Sequence, residues 1–187
     1  MAERFRQTHY SYADYLALED QSLIRHEYFE GEIYAMAGGT PEHAALISAT
    51  FSVLLRHLPG NCRIFTSDLR LRTPTGLTTY PDLSVVCRGI QRAADDHLAV
   101  TNPTLLVEVT SESTEEYDRG VKLRHYQSFA TVTEILFVSH REPRLSLHRR
   151  DGEERWTSLE AMAGESVTLE LIGGPIHVND IYRDAAL

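Results

Sequence analysis

The chain has 187 residues, 42% hydrophobic and 24% charged, and its 27 acids against 18 bases give a net charge of −9. Such a composition belongs to an ordinary soluble protein with room for a sizeable core, and it excludes disordered and fibrous chains. The acidic balance argues against a broad phosphate-binding surface, because counterion-release binding needs clustered Lys and Arg.

In chain order, Ser11 can cap a helix through about Glu19, with Tyr12, Tyr15 and Leu16 as its apolar stripe. Alternation around Gly31 in EYFEGEIYAMA predicts a hairpin. Thr40 at an N-cap and Pro41 at the first helical position start a helix whose apolar spacing runs to Leu58. CRIFTSDLRLR and LSVVC read as strands separated by the turn-rich RTPTGLTTYPD. After a loop of about fifteen residues, PTLLVEVT reads as a buried central strand. Thr114 can cap the helix EEYDRGVKLRHYQSFA, and EILFVSH is another buried strand. RLSLHRR and ERWTSL flank Asp151-Gly152, which predicts a hairpin with a type I′ turn. VTLELI and PIHVND close the pattern. Strands in the middle with helices on either side predict an α/β fold, a mixed central β-sheet flanked by helices on both faces.

No apolar start of signal-peptide type is present, and no run approaches the ~20 apolar residues of a membrane span. Cys62 and Cys87 form no CxxC pair and cannot make a four-cysteine zinc site. The expectation is one domain over residues 1–187, in the reducing cytoplasm, without a membrane partner.

Three residues could carry chemistry. Pro81-Asp82 precedes the apolar LSVVC, Glu108 interrupts the apolar LLVEV, and Lys122 lies on the next helix. A carboxylate inside a buried strand is costly unless it is paired, protonated or bound to a cation. An Asp at one strand's start and a Glu on its neighbour can converge at a sheet edge and suit Mg²⁺ or Mn²⁺, which prefer oxygen ligands. A lysine beside them could hold an attacking water or steady a developing phosphorane charge. Plainer readings stand beside these: Asp82 as a turn residue, Glu108 in a salt bridge with an arginine, Lys122 as the i,i+4 partner of Asp118. Phe129, seven residues on and about 20° around the helix from Lys122, favours a sheet-facing position for the lysine. Arg70, Arg72, Arg119 and Arg124 are the best candidates for gripping a phosphate backbone.

The order E-x-x-x-G-E, G-G-x-P-E-H, P-D, V-E-V-x-S-x-S-T, D-R-G-x-K-x-x-x-Y resembles the Uma2 family of restriction-endonuclease-like proteins, from about Tyr12 to Arg150. The resemblance implies a restriction endonuclease-like core of the PD-(D/E)xK nuclease superfamily. It makes Asp82 the motif aspartate and Glu108 the motif acid. The usual lysine position holds Thr110, and the family's pattern moves the lysine to the following helix, where Lys122 stands. Glu27, His43, Asp118 and Tyr126 also match family positions; Glu27 or His43 would complete the metal shell or a proton relay. The expected site therefore has Asp82, Glu108, Lys122, His43 and Tyr126 in catalysis and Asp82, Glu108 and Glu27 on Mg²⁺ or Mn²⁺. The expected activity is metal-dependent cleavage of DNA through a local site, with a symmetric homodimer suited to cutting both strands. The alternative is a catalytically inactive nucleic-acid- or protein-binding module on the same fold. One count adds weight to the first: 17 of the 18 basic residues are Arg, and the single Lys falls on the family's lysine position.

Overall fold

The computed structural model describes residues 9–36, 38–112 and 114–183. Ser11 caps α1 (Tyr12–Glu19) through a closed capping box, its hydroxyl accepting from the Asp14 N–H while the Asp14 carboxylate accepts from the Ser11 N–H. Strands β1 (His26–Phe29) and β2 (Glu32–Ala35) turn at Glu30 and Gly31, both with positive φ (47° and 84°). Thr40 accepts from the His43 N–H and Pro41 occupies the first turn of α2 (Pro41–His57). Strands β3 (Cys62–Thr66), β4 (Leu71–Arg72), β5 (Thr78–Thr79) and β6 (Leu83–Cys87) follow. Between β7 (Leu105–Val109) and β8 (Glu134–Val138) the chain passes through α3 (Glu115–Tyr117), a π-helical turn (Asp118–Lys122) and α4 (Leu123–Gln127). The last elements are β9 (Arg144–Arg150), β10 (Trp156–Met162), β11 (Ser166–Leu169), β12 (Gly174–His177) and α5 (Val178–Tyr182).

Six strands form the mixed central sheet in the order β10-β9-β8-β7-β6-β3. Its parallel pair is β7 with β8, and the helical crossover between them is what a parallel connection requires. A smaller sheet, β2-β1-β5-β4, stands beside it, and β11 pairs with β12. Strand alternation sorts the core into two layers. Leu105, Val107 and Val109 pack on one face with Leu46, Val53 and Leu54 of α2 and Ile181 of α5. Leu106 faces the other way with Val86, Ile135, Phe137, Tyr126 and Phe129. Glu108 shares the parity of Leu106, so β7 aims it at the crossover helix.

Local chemistry departs from expectation in four places. The turn between β9 and β10 is a five-residue loop, Asp151 to Arg155, not a type I′ turn. The Asp151 carboxylate accepts from the N–H groups of Glu153 and Arg155, and the positive φ falls on Glu154 rather than Gly152. Thr114 makes no side-chain cap; its hydroxyl bonds that of Ser111. The crossover helix widens into a π turn and ends before Phe129, although Phe129 and Lys122 are both buried as expected. Cys62 and Cys87, placed by expectation in a reducing cytoplasm, are register partners of β3 and β6 and are joined in a disulfide, with Cα atoms 4.0 Å apart.

Candidate active site

The register of β6 on β7 pairs Leu83 with Val107, Ser84 with Leu106 and Val85 with Leu105. Extended by one residue, it sets Asp82 opposite Glu108 on the face that looks toward the crossover helix. Side chains directly opposite across a strand pair have Cβ atoms about 4.5–5.5 Å apart, and like charges there repel. Two main-chain donors hold the acids in place. The Val109 N–H donates to Asp82 Oδ2 at 2.8 Å, and the Asp82 N–H approaches Glu108 Oε2 at 3.4 Å. Asp82 is partly exposed, whereas Glu108 is buried with 4% exposure.

Lys122 reaches this pair. Its Nζ lies 3.4 Å from Glu108 Oε1, 3.4 Å from Asp118 Oδ1 and 3.0 Å from Glu27 Oε1. Glu27 comes from β1, where the Thr79 hydroxyl of neighbouring β5 donates to the same Oε1. The Tyr126 hydroxyl donates to Glu108 Oε1 at 2.5 Å. A π turn adds a residue to the helical repeat, a device often found at functional sites. Here it carries Asp118 and Lys122 at its two ends, both buried, with Tyr126 one turn further on. One ammonium therefore serves three buried carboxylates, and a fourth, Asp82, stands beside them.

Burial pushes the Glu108 carboxyl up to about 8, with Asp82 and Asp118 adding to the rise while Lys122 and the Tyr126 hydroxyl oppose it. Burial also raises Asp118. For Lys122 burial works downward, yet the surrounding Glu108, Tyr126, Glu27 and Asp118 outweigh it and hold the ammonium well above its ordinary value. Burial, then the charge of Glu27, raises the Tyr117 phenol, and Tyr34 is among the nearby groups that add to it.

His43 approaches from the first turn of α2. Its Nε2 donates to the Val109 carbonyl at 2.8 Å and lies 3.5 Å from Asp82 Oδ2. Asp82 is the main influence that raises its pKa. Gly39 makes room for the ring: a Cβ there would sit 2.6 Å from His43 Nδ1. His43 thus clamps the Asp82–Val109 corner, with its ring proton spent on a backbone carbonyl.

The sequence profile of Uma2, described as "Putative restriction endonuclease", matches residues 12–175. The chain belongs to the Uma2 family. Among its relatives are two proteins of Synechocystis sp., both named as uncharacterized. The protein slr1290 is 36% identical over 92% of this chain and 91% of its own, and sll1609 is 32% identical over 84% and 90%. The crystal structure of "a putative nuclease belonging to DUF820" from Anabaena variabilis superposes with a TM-score of 0.73 at 17% identity. It covers 91% of this chain and 96% of that one, and the likeness carries the fold.

Among the described residues of this Uma2 protein, no three His, Cys, Asp or Glu side chains are arranged as a metal cage. The donor set still fits a divalent ion of the magnesium type, which takes one or two carboxylates and keeps several waters. Asp82 and Glu108 are that pair, and the surplus of acid over base around them is the charge a cation would offset. Glu27, expected on the metal, lies against Lys122 and Thr79. Thr79 escaped the sequence reading because a two-residue strand inside a turn-rich stretch has no periodicity. Of the arginines expected to grip phosphate, Arg70 is tied to Asp96, Arg72 to Asp95 and Arg119 to Glu115, while Arg124 is exposed on α4.

Proposed function

We propose that this Uma2 protein is a metal-dependent endonuclease that hydrolyses DNA phosphodiester bonds at the Asp82–Glu108–Lys122 cluster. The observation that carries the reading is the cross-strand acid pair with a buried ammonium 3.4 Å from one of its members. Asp82 and Glu108 would hold Mg²⁺ or Mn²⁺, which when bound supplies Lewis acidity and a water of lowered pKa. Three acids keep Lys122 charged, so its part is to steady negative charge developing on the phosphoryl oxygens, not to remove a proton. Glu27, fixed by Thr79, and Asp118 orient that ammonium. Tyr126 engages Oε1 of Glu108 and leaves Oε2 toward Asp82. His43 holds the Asp82 corner.

The test is cleavage of plasmid DNA by purified protein with Mg²⁺, Mn²⁺ or EDTA. Cleavage is expected only with the metal ions, and Asp82→Ala or Lys122→Ala should abolish it. Cleavage that survives both substitutions overturns the assignment. If the wild type neither cleaves nor gains thermal stability with Mn²⁺, a non-catalytic module on the same fold replaces it.

A further inference from the structure

The seam between the β1–β2 hairpin and the crossover helix carries aromatic rings beside the acid cluster. Glu27 and Tyr34 are register partners, so their side chains stand side by side on one face of the hairpin. Glu27 touches Lys122, whereas Tyr34, on the outer strand, is 47% exposed and donates its hydroxyl to Glu32. Across the seam the Tyr117 ring centroid lies 5.8 Å from Lys122 Nζ. An exposed phenol and a half-buried one thus border the mouth of the site.

The charges around that mouth give a nucleic acid little else to hold. Arg119 and Arg141 are both occupied by Glu115, Arg72 by Asp95 and Arg25 by Asp68. The cluster itself holds four acids against one lysine. Apart from Arg124, exposed on α4, phosphate contact is therefore meagre, and much of the binding energy has to come from a part of the substrate that carries no charge. Every base has a π-face, and stacking on aromatic side chains is tolerant of sequence.

We propose that the site takes a DNA strand with an unpaired base, and that Tyr34, with Tyr117 beside it, stacks on that base. The proposal rests on the nuclease reading above and narrows its substrate to single-stranded stretches. A base inside an intact duplex has its faces covered by its neighbours and cannot use this platform.

A short oligonucleotide carrying one 2-aminopurine, single-stranded or annealed to its complement, is titrated in Ca²⁺ buffer with wild type, Tyr34→Phe and Tyr34→Ala. The single strand should bind at least about tenfold tighter than the duplex, with quenched fluorescence. Tyr34→Phe should keep both properties. Tyr34→Ala, an exposed position where folding is not at stake, should lose about tenfold in affinity together with the quench. Equal binding of the duplex, an unchanged Tyr34→Ala, or no binding of the strand overturns the proposal. The nuclease reading stands or falls separately, on cleavage of plasmid or of circular single-stranded DNA with Mn²⁺. Cleavage without stacking removes only the substrate class, and stacking without cleavage removes only the activity.

Discussion

Glu108 and Glu134 are buried in neighbouring parallel strands of one sheet, and their surroundings differ in kind. Glu134 Oε1 accepts from Arg149 Nε and Nη2 at 3.1 and 3.0 Å and from the Glu170 N–H at 2.9 Å. Its Oε2 accepts from the Leu171 N–H at 3.1 Å. That carboxylate has its own arginine and two backbone donors, and it pins the β11–β12 segment to the central sheet. Glu108 shares one lysine with Glu27 and Asp118 and faces Asp82 across the strand pair. A buried charge is tolerable when it is paired and hydrogen-bonded. Glu134 meets that condition and serves the fold. Glu108 falls short of it, and the shortfall is what a divalent cation would relieve. Burial alone does not distinguish the two; the balance of charge around each does.

Matched substitutions test the contrast most severely. Glu134→Gln leaves Arg149 without its main partner, and breaking such a buried pair costs about 3 kcal/mol, some 6–12 °C in a domain of this size. Metal-dependent cleavage by whatever remains folded should be intact. Glu108→Gln should do the reverse, losing cleavage by about a thousandfold while the metal-free melting temperature holds or rises. Thermal melts and single-turnover cleavage of both variants decide it. Equal destabilisation by the two would mean that Glu108 is also a structural ion-pair partner and the comparison has no content.

Lys122→Arg asks whether charge alone suffices. Nζ is a compact donor with three acceptors around it, and a planar guanidinium cannot place its N–H groups on all three from the same stem. The variant should fold and keep its charge while kcat falls by about 30-fold or more, roughly 2 kcal/mol. Near-normal kcat would show that the lone lysine is an accident of an arginine-rich composition.

What the sequence made legible follows from how local each signal is. The caps of α1 and α2, the hairpin at Gly31 and the apolar runs of β7 and β8 are written in adjacent residues, and the structure has them. Glu108 and Lys122 stood out because each breaks its surroundings, a carboxylate in an apolar strand and a lysine in an arginine-rich chain. Their meeting was legible only through the family pattern, because it depends on a π turn that no periodicity announces. Thr79 and the arginine pairings are tertiary facts, since β5 exists only by pairing with β1 and β4. The Asp151-Gly152 signal failed because the Asp151 carboxylate closes a longer loop on its own backbone.

The same contrast has a pH signature. Glu108 and Asp118, raised by burial, and His43, raised by Asp82, all bind their protons more tightly folded than unfolded. A folded-state pKa above the unfolded one contributes stability that is complete below the unfolded value and disappears as pH climbs through the folded value. For Glu108 that window runs from the ordinary carboxyl value of 4.5 to about 8. Metal-free protein should therefore lose about 2 kcal/mol, or roughly 4–8 °C, between mildly acidic and mildly alkaline pH. Mn²⁺ should restore most of it at the alkaline end and release protons on binding, measurable by calorimetry in buffers of different ionisation enthalpy. Glu108→Gln should flatten the slope. A metal-free melting temperature that rises over this range would contradict the direction assigned to Glu108.

The smallest effect concerns the residue most remote from the chemistry. Thr79 touches neither Asp82 nor Lys122; it fixes Glu27, which in turn holds the ammonium. Thr79→Val keeps shape and removes one hydrogen bond to a carboxylate, worth about 1–2 kcal/mol where it is made. Part of that energy is recovered because Glu27 keeps its bond to Lys122. The expected result is a three- to tenfold drop in kcat, roughly 1 kcal/mol, with KM unchanged. Thr79→Ser, which retains the hydroxyl, should recover most of the rate. If the two variants lose rate and melting temperature in equal measure, Thr79 acts on the fold of the small sheet. If only the valine variant slows, and its melting temperature stays put, the orientation of Lys122 is being set from two residues away.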